Sequence, residues 1–296
     1  HGCPVVLINF DAKLALDVIQ QERVSAFLGI TTMINWMMAV EGFEDYDLSS
    51  LRNFQYGGGP MPRSVVEAAL KAFPCTMIQG YGQTEGMTMT FLSQEDHQRA
   101  VAGDHPERLG SCGREGFVSE IRVVDPEGEP VPRDGQTAGE IVVRSEANML
   151  GYWRRPDLTE QTIRGDWMWT GDIATWDTEG YVVIVDRAKD MIISGGENIY
   201  STQVEAAIHQ HPAVLESAVF GIPDDTWGEA VKAVVVLKPG QTATEEEIIA
   251  EASKHLASYQ KPKSVDFVEA LPKAPTGKIL KRDLRDPYWQ EETRQV

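Results

Sequence analysis

The chain has 296 residues, of which 42% are hydrophobic and 24% are charged, and its formal net charge is -18. This length predicts two domains with separate cores, and the acidic balance disfavours nucleic acid as a partner, because phosphate backbones are bound through clustered Lys and Arg. No apolar run approaches the roughly 18 residues of a membrane span, so we expect no integral membrane segment.

The first residues and the cysteines predict the cellular setting. The chain starts at His1 without a signal peptide or targeting segment, and Cys3, Cys75 and Cys112 lack metal-type spacing. Both features are typical of a cytoplasmic protein with reduced thiols. Residues 4–8 form an apolar run that predicts a strand, so we expect the chain to start in the middle of a domain.

Residues 1–100 predict an α/β layer. An apolar run over residues 51–56 leads into Gly57-Gly58-Gly59. Apolar residues then recur at helical spacing over residues 65–73, and residues 75–78 form a brief strand. This order of strand, turn, helix and strand is typical of an α/β sheet whose loops open at one edge.

Residues 101–186 predict a small β-rich subdomain. Short runs of β-branched residues over 121–124 and 141–143 are separated by turn-forming Asp, Pro and Gly. A last strand is expected over residues 181–185. The charged segment that follows, residues 186–190, is the predicted domain boundary.

Residues 187–296 predict a compact, mobile α+β domain, so the fold class of the chain is α/β plus α+β. Two helices are expected, each started by a capping box, in which an N-cap hydroxyl and a Glu three residues later bond to each other's backbone. The predicted boxes are Thr202 with Glu205 and Thr244 with Glu247. Strands are expected over residues 216–220 and 231–237.

Four polar, glycine-bearing motifs follow one another in a fixed order. They are Tyr81-Gly-Gln-Thr-Glu-Gly86, Trp169-Thr-Gly-Asp172, the run from Asp186 to Asn198, and Pro275-Thr-Gly-Lys278. This order resembles the adenylate-forming superfamily of acyl-CoA synthetases, luciferases and peptide-synthetase adenylation domains. The similarity is closest to fatty or aryl acyl-CoA ligases that lack the amino-terminal part of the large domain.

The resemblance implies binding of ATP and Mg²⁺ at the first motif. Thr84 offers a hydroxyl to a phosphate, Glu85 offers a hard oxygen ligand to magnesium, and Tyr81 offers a ring to adenine. Gly82 permits a tight turn, and the backbone of Gly57, Gly58 and Gly59 can lie against a flat base. Taken alone, the same residues are equally typical of an ordinary surface turn and a plain loop.

The resemblance also assigns roles in the later motifs. Asp172 would accept hydrogen bonds from the ribose hydroxyls, and Arg187, placed after a strand, would donate to the same sugar. Lys278 would bridge the substrate carboxylate and the α-phosphate. Alternatively, Asp172 caps a turn and Lys278 belongs to a solvated basic tail. We expect three basic residues to form such a tail: Lys281, Arg282 and Arg285.

In this superfamily the carboxyl-terminal domain rotates between half-reactions, which implies that Lys189 is the hinge. Gly195, Gly196 and Glu197 would then lie near pantetheine.

Two further segments resemble the coenzyme A site of acyl-CoA ligases. Trp227 and Tyr259 would stack on its adenine, and Lys261 and Lys263 would meet its phosphates. Trp227 is equally typical of a core residue. Residues 87–90 are candidates for an acyl pocket, although Met-rich stretches more often serve packing.

The predicted function is an ATP-dependent carboxylic acid:CoA ligase with ATP, Mg²⁺ and coenzyme A as cofactors. The alternatives are an acyl-AMP ligase that feeds carrier proteins, a luciferase-like oxidase, a peptide-synthetase module and a noncatalytic nucleotide-binding remnant. The superfamily's Gly-rich phosphate loop is not found in these 296 residues, which are therefore expected to handle pyrophosphate poorly. The sequence is compatible with a homodimer and does not identify the acid.

Overall fold

The computed structural model describes residues 2–59, 61, 63–274 and 278–289. The chain divides into two compact units, which we call unit 1 and unit 2. Unit 1 comprises residues 1–170 and 174–184, and unit 2 comprises residues 171–173 and 185–296. The division between residues 184 and 185 lies two residues before the predicted division between 186 and 187. Asp172 belongs to unit 2.

The first sheet of unit 1 is the predicted α/β layer. Its strands are, in spatial order, β1 Ala26–Gly29, β2 Asn53–Gly57, β3 Thr76–Gln83, β4 Met87–Leu92 and β5 Arg114–Glu115. The first three strands are parallel, and β4 and β5 are antiparallel to their neighbours. The helices that accompany it are α1 Ala12–Gln21, α2 Thr31–Met38, α3 Arg63–Ala72 and α4 Gln94–Val101.

Local sequence accounts for much of this layer. The helix expected over residues 65–73 is confirmed as α3, whose Val66 and Ala69 are buried in the core with Phe54 and Phe73. The strand expected over residues 4–8 is wrong, because these residues form no strand and are mostly exposed. A short apolar run without alternation does not by itself define a strand, which also needs a hydrogen-bonding partner.

The second sheet consists of short, mainly antiparallel strands. In chain order they are β6 Ser119–Val124, β7 Gly139–Ser145, β8 Ile163–Arg164, β9 Trp167–Trp176 and β10 Val182–Arg187, with helix α5 at Pro156–Thr162. The spatial order is β10-β9-β7-β6, and β8 pairs with β9. The strands expected over 121–124, 141–143 and 181–185 are confirmed as β6, β7 and β10.

The sheet of unit 2 has the spatial order β12-β11-β14-β13, with β15 beside β14. Its strands are β11 Ile192–Ser194, β12 Glu197–Ile199, β13 Val214–Asp224, β14 Gly228–Leu237 and β15 Ser264–Phe267. The helices of this unit are α6 Ser201–Ile208, α7 Glu245–Ala252 and α8 Lys281–Arg285. The strands expected over 216–220 and 231–237 are confirmed as the long hairpin β13–β14.

The two expected capping boxes have different outcomes. The one at Thr244 and Glu247 is confirmed at the start of α7. The one at Thr202 and Glu205 is wrong: α6 begins at Ser201, and the Thr202 hydroxyl donates to the carbonyl of Val185. The backbone N–H of Val219 donates to Glu205 at 2.8 Å, so tertiary partners take both side chains away from the helix end.

The helices within the described ranges are all too short or too polar to cross a bilayer.

Candidate functional site

Half of the first motif is strand. Tyr81, Gly82 and Gln83 belong to β3, and Thr84, Glu85 and Gly86 form the turn to β4, so the tight turn expected at Gly82 begins two residues later. A Cβ on Gly82 would lie 1.8 Å from the Met87 carbonyl oxygen. The two strands therefore approach so closely that only glycine fits.

Glu85 is held in place by neighbours in unit 1. The hydroxyl of Tyr152 donates to Glu85 Oε1 at 2.8 Å, and the N–H of Met149 donates to the Glu85 carbonyl at 2.6 Å. Burial and the Glu85 carboxylate raise the pKa of Tyr152. Thr84 is exposed and Glu85 is half-buried, so both side chains are accessible at the turn.

Glu85 is a single carboxylate rather than part of a metal cluster. Within the described ranges, no group of three or more His, Cys, Asp and Glu side chains is arranged to hold a metal. This donor set fits Mg²⁺ only if the nucleotide phosphates and water supply the other ligands, which is the usual mode of magnesium in nucleotide sites.

The three glycines at the end of β2, Gly57, Gly58 and Gly59, differ in their structural surroundings. A Cβ on Gly57 would lie 2.2 Å from the Gly80 carbonyl oxygen, and Gly58 has a left-handed φ of +77°. Around Gly59 no described atom lies within 4 Å of such a Cβ, so its backbone is the most open. Pro60, the next residue of this motif, lies outside the described residues.

The strand that leads into these glycines is fixed by a buried pair. The hydroxyl of Tyr56 lies 2.8 Å from Nε2 of His97, and Nδ1 of His97 lies 2.6 Å from the carbonyl oxygen of Ser93. Burial lowers the pKa of His97, so the neutral ring is favoured.

The Met-rich run after the turn serves packing in part. Met89 is fully buried in the core between the sheets of unit 1, whereas Met87 is exposed and has a left-handed φ of +56°. Thr90 is buried and donates to the carbonyl of Cys112. Only Met87 and Thr88 of the predicted acyl-pocket residues are exposed.

In unit 2, the predicted ribose-binding residues form an ion pair. Nε of Arg187 lies 3.2 Å from Oδ1 of the buried Asp172. Arg187 is the last residue of β10 rather than a residue after the strand. The N–H of Ala188 donates to the Gly171 carbonyl at 2.8 Å, which holds the two backbone segments side by side.

Lys278 lies within electrostatic range of this pair. Burial lowers its pKa, as do the positive charges of Arg187 and Lys189, whereas Asp172 and Asp190 act in the opposite direction. Lys278, Asp172 and Arg187 therefore belong to one unit and interact electrostatically. Residues 275–277, the rest of the predicted loop, lie outside the described residues.

The expectation of a solvated basic tail is wrong for two of its three residues. Lys281 Nζ lies 2.7 Å from Glu205 Oε1, and Arg285 Nη1 donates to the Lys189 carbonyl at 2.8 Å. Arg282 is 78% exposed, as expected. Sequence alone gives all three the same basic surroundings, and only the tertiary contacts separate them.

A second group of predicted residues, around Gly195 and Trp227, meets at the surface of unit 2. Gly195 and Gly196 have φ of +61° and +83° and form the two-residue turn between β11 and β12. A Cβ on Gly195 would lie 2.8 Å from Trp227 Cε3, and the Gly195 N–H donates to the Trp227 carbonyl at 2.8 Å. Trp227 is 52% exposed, so the alternative of a core residue is wrong.

Asp224 organises the same surface. Its Oδ1 accepts from the N–H of Trp227 at 2.9 Å, and its Oδ2 pairs with Lys263 Nζ at 2.8 Å. The Lys263 ammonium lies 6.0 Å from the centre of the Trp227 ring. Tyr259 is exposed and Lys261 is half-buried, and both lie in the segment just before Lys263.

Comparison with known families shows which family the chain belongs to. Residues 1–153 match the family described as AMP-binding enzyme, and residues 203–278 match the AMP-binding enzyme C-terminal domain. The chain belongs to the AMP-binding enzyme family. The resemblance to adenylate-forming enzymes is thereby confirmed.

Two relatives of this chain have named activities. A feruloyl-CoA synthase from Amycolatopsis sp is 42% identical over 284 residues, which cover 96% of this chain and 56% of the relative. The medium/long-chain-fatty-acid–CoA ligase FadD8 of Mycobacterium tuberculosis is 36% identical over 303 residues, which cover 100% of this chain and 52% of the relative. The chain thus spans about half the length of the curated relatives it matches.

A solved structure shares the fold. The o-succinylbenzoate CoA synthetase MenE from Bacillus subtilis, in complex with an acyl-adenylate intermediate, has a TM-score of 0.80 and 30% identity. The match covers 94% of this chain and 54% of that chain. The predicted mixed α/β fold class of an adenylate-forming enzyme is confirmed.

Sequence reasoning missed several residues that support the sites of this AMP-binding enzyme. Tyr152 holds Glu85 from a distant loop, and no local pattern points to it. Asp224 was detectable in principle, because Asp two and three residues before Thr226 and Trp227 fits a side-chain-capped turn.

Proposed function

We propose that this AMP-binding enzyme is an ATP-dependent carboxylic acid:CoA ligase that forms an acyl-adenylate and then an acyl-CoA thioester. The observation that carries the proposal is the charged group of unit 2, in which Lys278 lies within electrostatic range of the Asp172–Arg187 pair. Adenylate formation requires a carboxylate that accepts hydrogen bonds from the ribose hydroxyls. It also requires an ammonium that reduces the repulsion between the substrate carboxylate and the α-phosphate.

In the first half-reaction, a carboxylate oxygen of the acid bonds to the α-phosphorus of ATP, and the bond to pyrophosphate breaks. Asp172 accepts hydrogen bonds from the ribose hydroxyls, and Arg187 donates to the same sugar. The Lys278 ammonium lies between the acid and the α-phosphate and reduces the repulsion between the two anions.

Residues of unit 1 handle phosphate and magnesium in this proposal. The exposed hydroxyl of Thr84 would donate to a phosphate oxygen, and Glu85, oriented by Tyr152, would hold Mg²⁺. The ion, when bound, neutralises charge on the phosphates. The open backbone at Gly59 receives the flat face of the base, next to the strand that Tyr56 and His97 hold.

In the second half-reaction, the CoA sulfur bonds to the acyl carbon, AMP leaves, and the thiol proton passes to solvent. The surface of Gly195, Trp227 and Lys263 fits the acceptor, because it combines a half-exposed indole with a cation. The β11–β12 turn exposes Gly196, which lets pantetheine approach the backbone. We infer that Lys189 is the hinge between the two half-reactions.

The named relatives indicate the class of acid. Feruloyl-CoA synthase and medium/long-chain-fatty-acid–CoA ligase are the activities of relatives that match this chain over almost its whole length. We therefore propose a fatty or aryl carboxylic acid as substrate. We also propose a cytoplasmic location, in keeping with the reduced thiols expected of Cys3, Cys75 and Cys112. A homodimer remains a prediction, which light scattering tests by a mass twice that of the chain.

The test is thioester formation by the full-length protein with a panel of fatty and aryl acids in the presence of ATP, Mg²⁺ and CoA. We expect acyl-CoA, AMP and pyrophosphate in equal amounts with at least one acid of these classes. A second reaction supplies a preformed acyl-adenylate and CoA. A protein that binds AMP yet yields no thioester in either reaction would be the noncatalytic remnant, and the proposal would be wrong.

A further inference from the structure

We propose that helix α8 positions Lys278, with Lys281 and Arg285 as the positioning residues that attach this helix to two separate parts of unit 2. The inference rests on the proposed function, since it deepens the role of Lys278 in adenylate formation. Neither residue touches substrate in this account. Each restricts the position of the segment that carries Lys278.

Lys281 is fixed to helix α6. Its ammonium lies 2.7 Å from Glu205 Oε1 and donates to Ser201 Oγ at 2.7 Å, and its side chain is only 15% exposed. Glu205 also accepts from the N–H of Val219 at 2.8 Å, so the acceptor itself is held by β13.

Asp186 extends this anchor to the start of the hinge segment. It is buried, accepts from Ser201 Oγ at 3.0 Å and accepts from the N–H of Arg187 at 2.8 Å. Burial raises the pKa of Asp186, and the positive charge of Lys281 counteracts this effect. Lys281 is thus the cation shared by the buried Asp186 and the half-buried Glu205, and its loss would leave both carboxylates without this charge partner.

Arg285 holds the other end of α8. Its Nη1 donates to the carbonyl oxygen of Lys189 at 2.8 Å and lies 3.5 Å from Asp190 Oδ1. The Arg285 side chain is 13% exposed and that of Asp190 is 16% exposed, so the pair is shielded from solvent. Arg282, on the same helix, is 78% exposed, so among the three basic residues of α8 only the two anchored ones are shielded from solvent.

These contacts limit the position of Lys278. Lys278 precedes Lys281 by three residues, and a chain of three residues spans at most about 11 Å. The carbonyl that Arg285 holds belongs to Lys189, whose charge acts on Lys278 together with that of Arg187. Helix α8 therefore ties the Lys278 segment to the same residues that form the charged group around Asp172.

The test is competitive amine labelling of Lys278 across pH, read by mass spectrometry on the whole chain. We expect Lys278 of the wild-type chain to react at lower pH than a solvated lysine, whose pKa is about 10.4. Lys281→Met should raise the pH at which labelling of Lys278 is half-maximal, because it releases Lys278 to solvent. Lys281→Arg should restore the wild-type midpoint. The control Lys254→Met, which removes an exposed pair with Glu251, should leave it unchanged.

Arg285→Gln is the second variant, for the case that Lys281→Met does not fold. It should move the Lys278 midpoint in the same direction. A midpoint equal to wild type in the folded variants would overturn the proposal. Labelling of Lys278 does not depend on enzymatic turnover. A wild-type protein that forms no thioester would therefore contradict the ligase function, whereas the labelling midpoints would still test the role of Lys281 and Arg285.

Discussion

Arg187 Nε lies 3.2 Å from Oδ1 of Asp172, and the side chain of Asp172 is buried. A buried carboxylate needs partners, and Arg187 is one of them. Asp172 therefore has a fixed orientation before any nucleotide binds.

Asp172→Asn should weaken AMP binding. Loss of a hydrogen bond to a charged group costs about 1.5–3 kcal/mol, which corresponds to about 10- to 150-fold in dissociation constant. Titration calorimetry with AMP measures this. Asp157→Asn removes an exposed Arg155–Asp157 pair and is the matched control. Equal affinity of the Asp172 variant and the control would remove Asp172 from the nucleotide site.

Glu85→Gln should raise the Mg²⁺ concentration that gives half-maximal thioester formation, because a neutral amide is a poorer ligand for a hard cation. Tyr152→Phe should shift it in the same direction by a smaller factor, since it removes only the hydroxyl that donates to Glu85 at 2.8 Å. The control is Glu67→Gln, at an exposed pair with Arg63. Magnesium titrations that coincide for all four proteins would exclude Glu85 as a ligand.

Gly57→Ala should destabilise unit 1 much more than Gly59→Ala. A Cβ at residue 57 would lie 2.2 Å from the Gly80 carbonyl oxygen, whereas none of the described atoms lies within 4 Å of one at residue 59. We expect a loss of about 1–3 kcal/mol for the first change, typical of overpacking, and under about 0.5 kcal/mol for the second. Urea unfolding measures both, and equal losses would contradict the close approach of β2 and β3.

His97 should make stability depend on pH. Burial lowers its pKa, while the Ser93 carbonyl and Asp96 act in the opposite direction, so the unfolded chain binds a proton at higher pH than the folded one. The stabilisation is therefore present above the unfolded pKa of about 6.5 and is lost as pH falls toward the folded value.

The matching variant is His97→Gln. The difference in free energy of unfolding between wild type and this variant should be larger at about pH 7.5 than at about pH 5. Urea unfolding at both values measures it. A difference that does not change with pH would show that His97 is not the group responsible.

Elements defined by local pattern were predictable from sequence. The β13–β14 hairpin follows from long runs of β-branched residues, and the Thr244–Glu247 box follows from spacing within one helix. The Thr202–Glu205 box has the same spacing, yet Val185 and Val219 on other elements bond to its side chains instead.

The candidate site shows the same limit. Motif order pointed to Asp172, Arg187 and Lys278, and in unit 2 the first two form an ion pair whose charges act on Lys278. The anchors Lys281 and Arg285 look like solvated basic residues in sequence, because their burial depends on Glu205 and Asp190, far along the chain. Tertiary contacts of this kind leave no local signal.

The most direct measurement compares the two half-reactions of wild type and Lys278→Ala, both made in the full-length protein. One assay follows pyrophosphate release from ATP and the acid, and the other follows thioester formation from a preformed acyl-adenylate and CoA. We expect the variant to lose about 100-fold or more in the first rate, from about 2.7 kcal/mol or more of electrostatic stabilisation, and to stay within about 3-fold in the second. Equal losses in both rates would contradict the account.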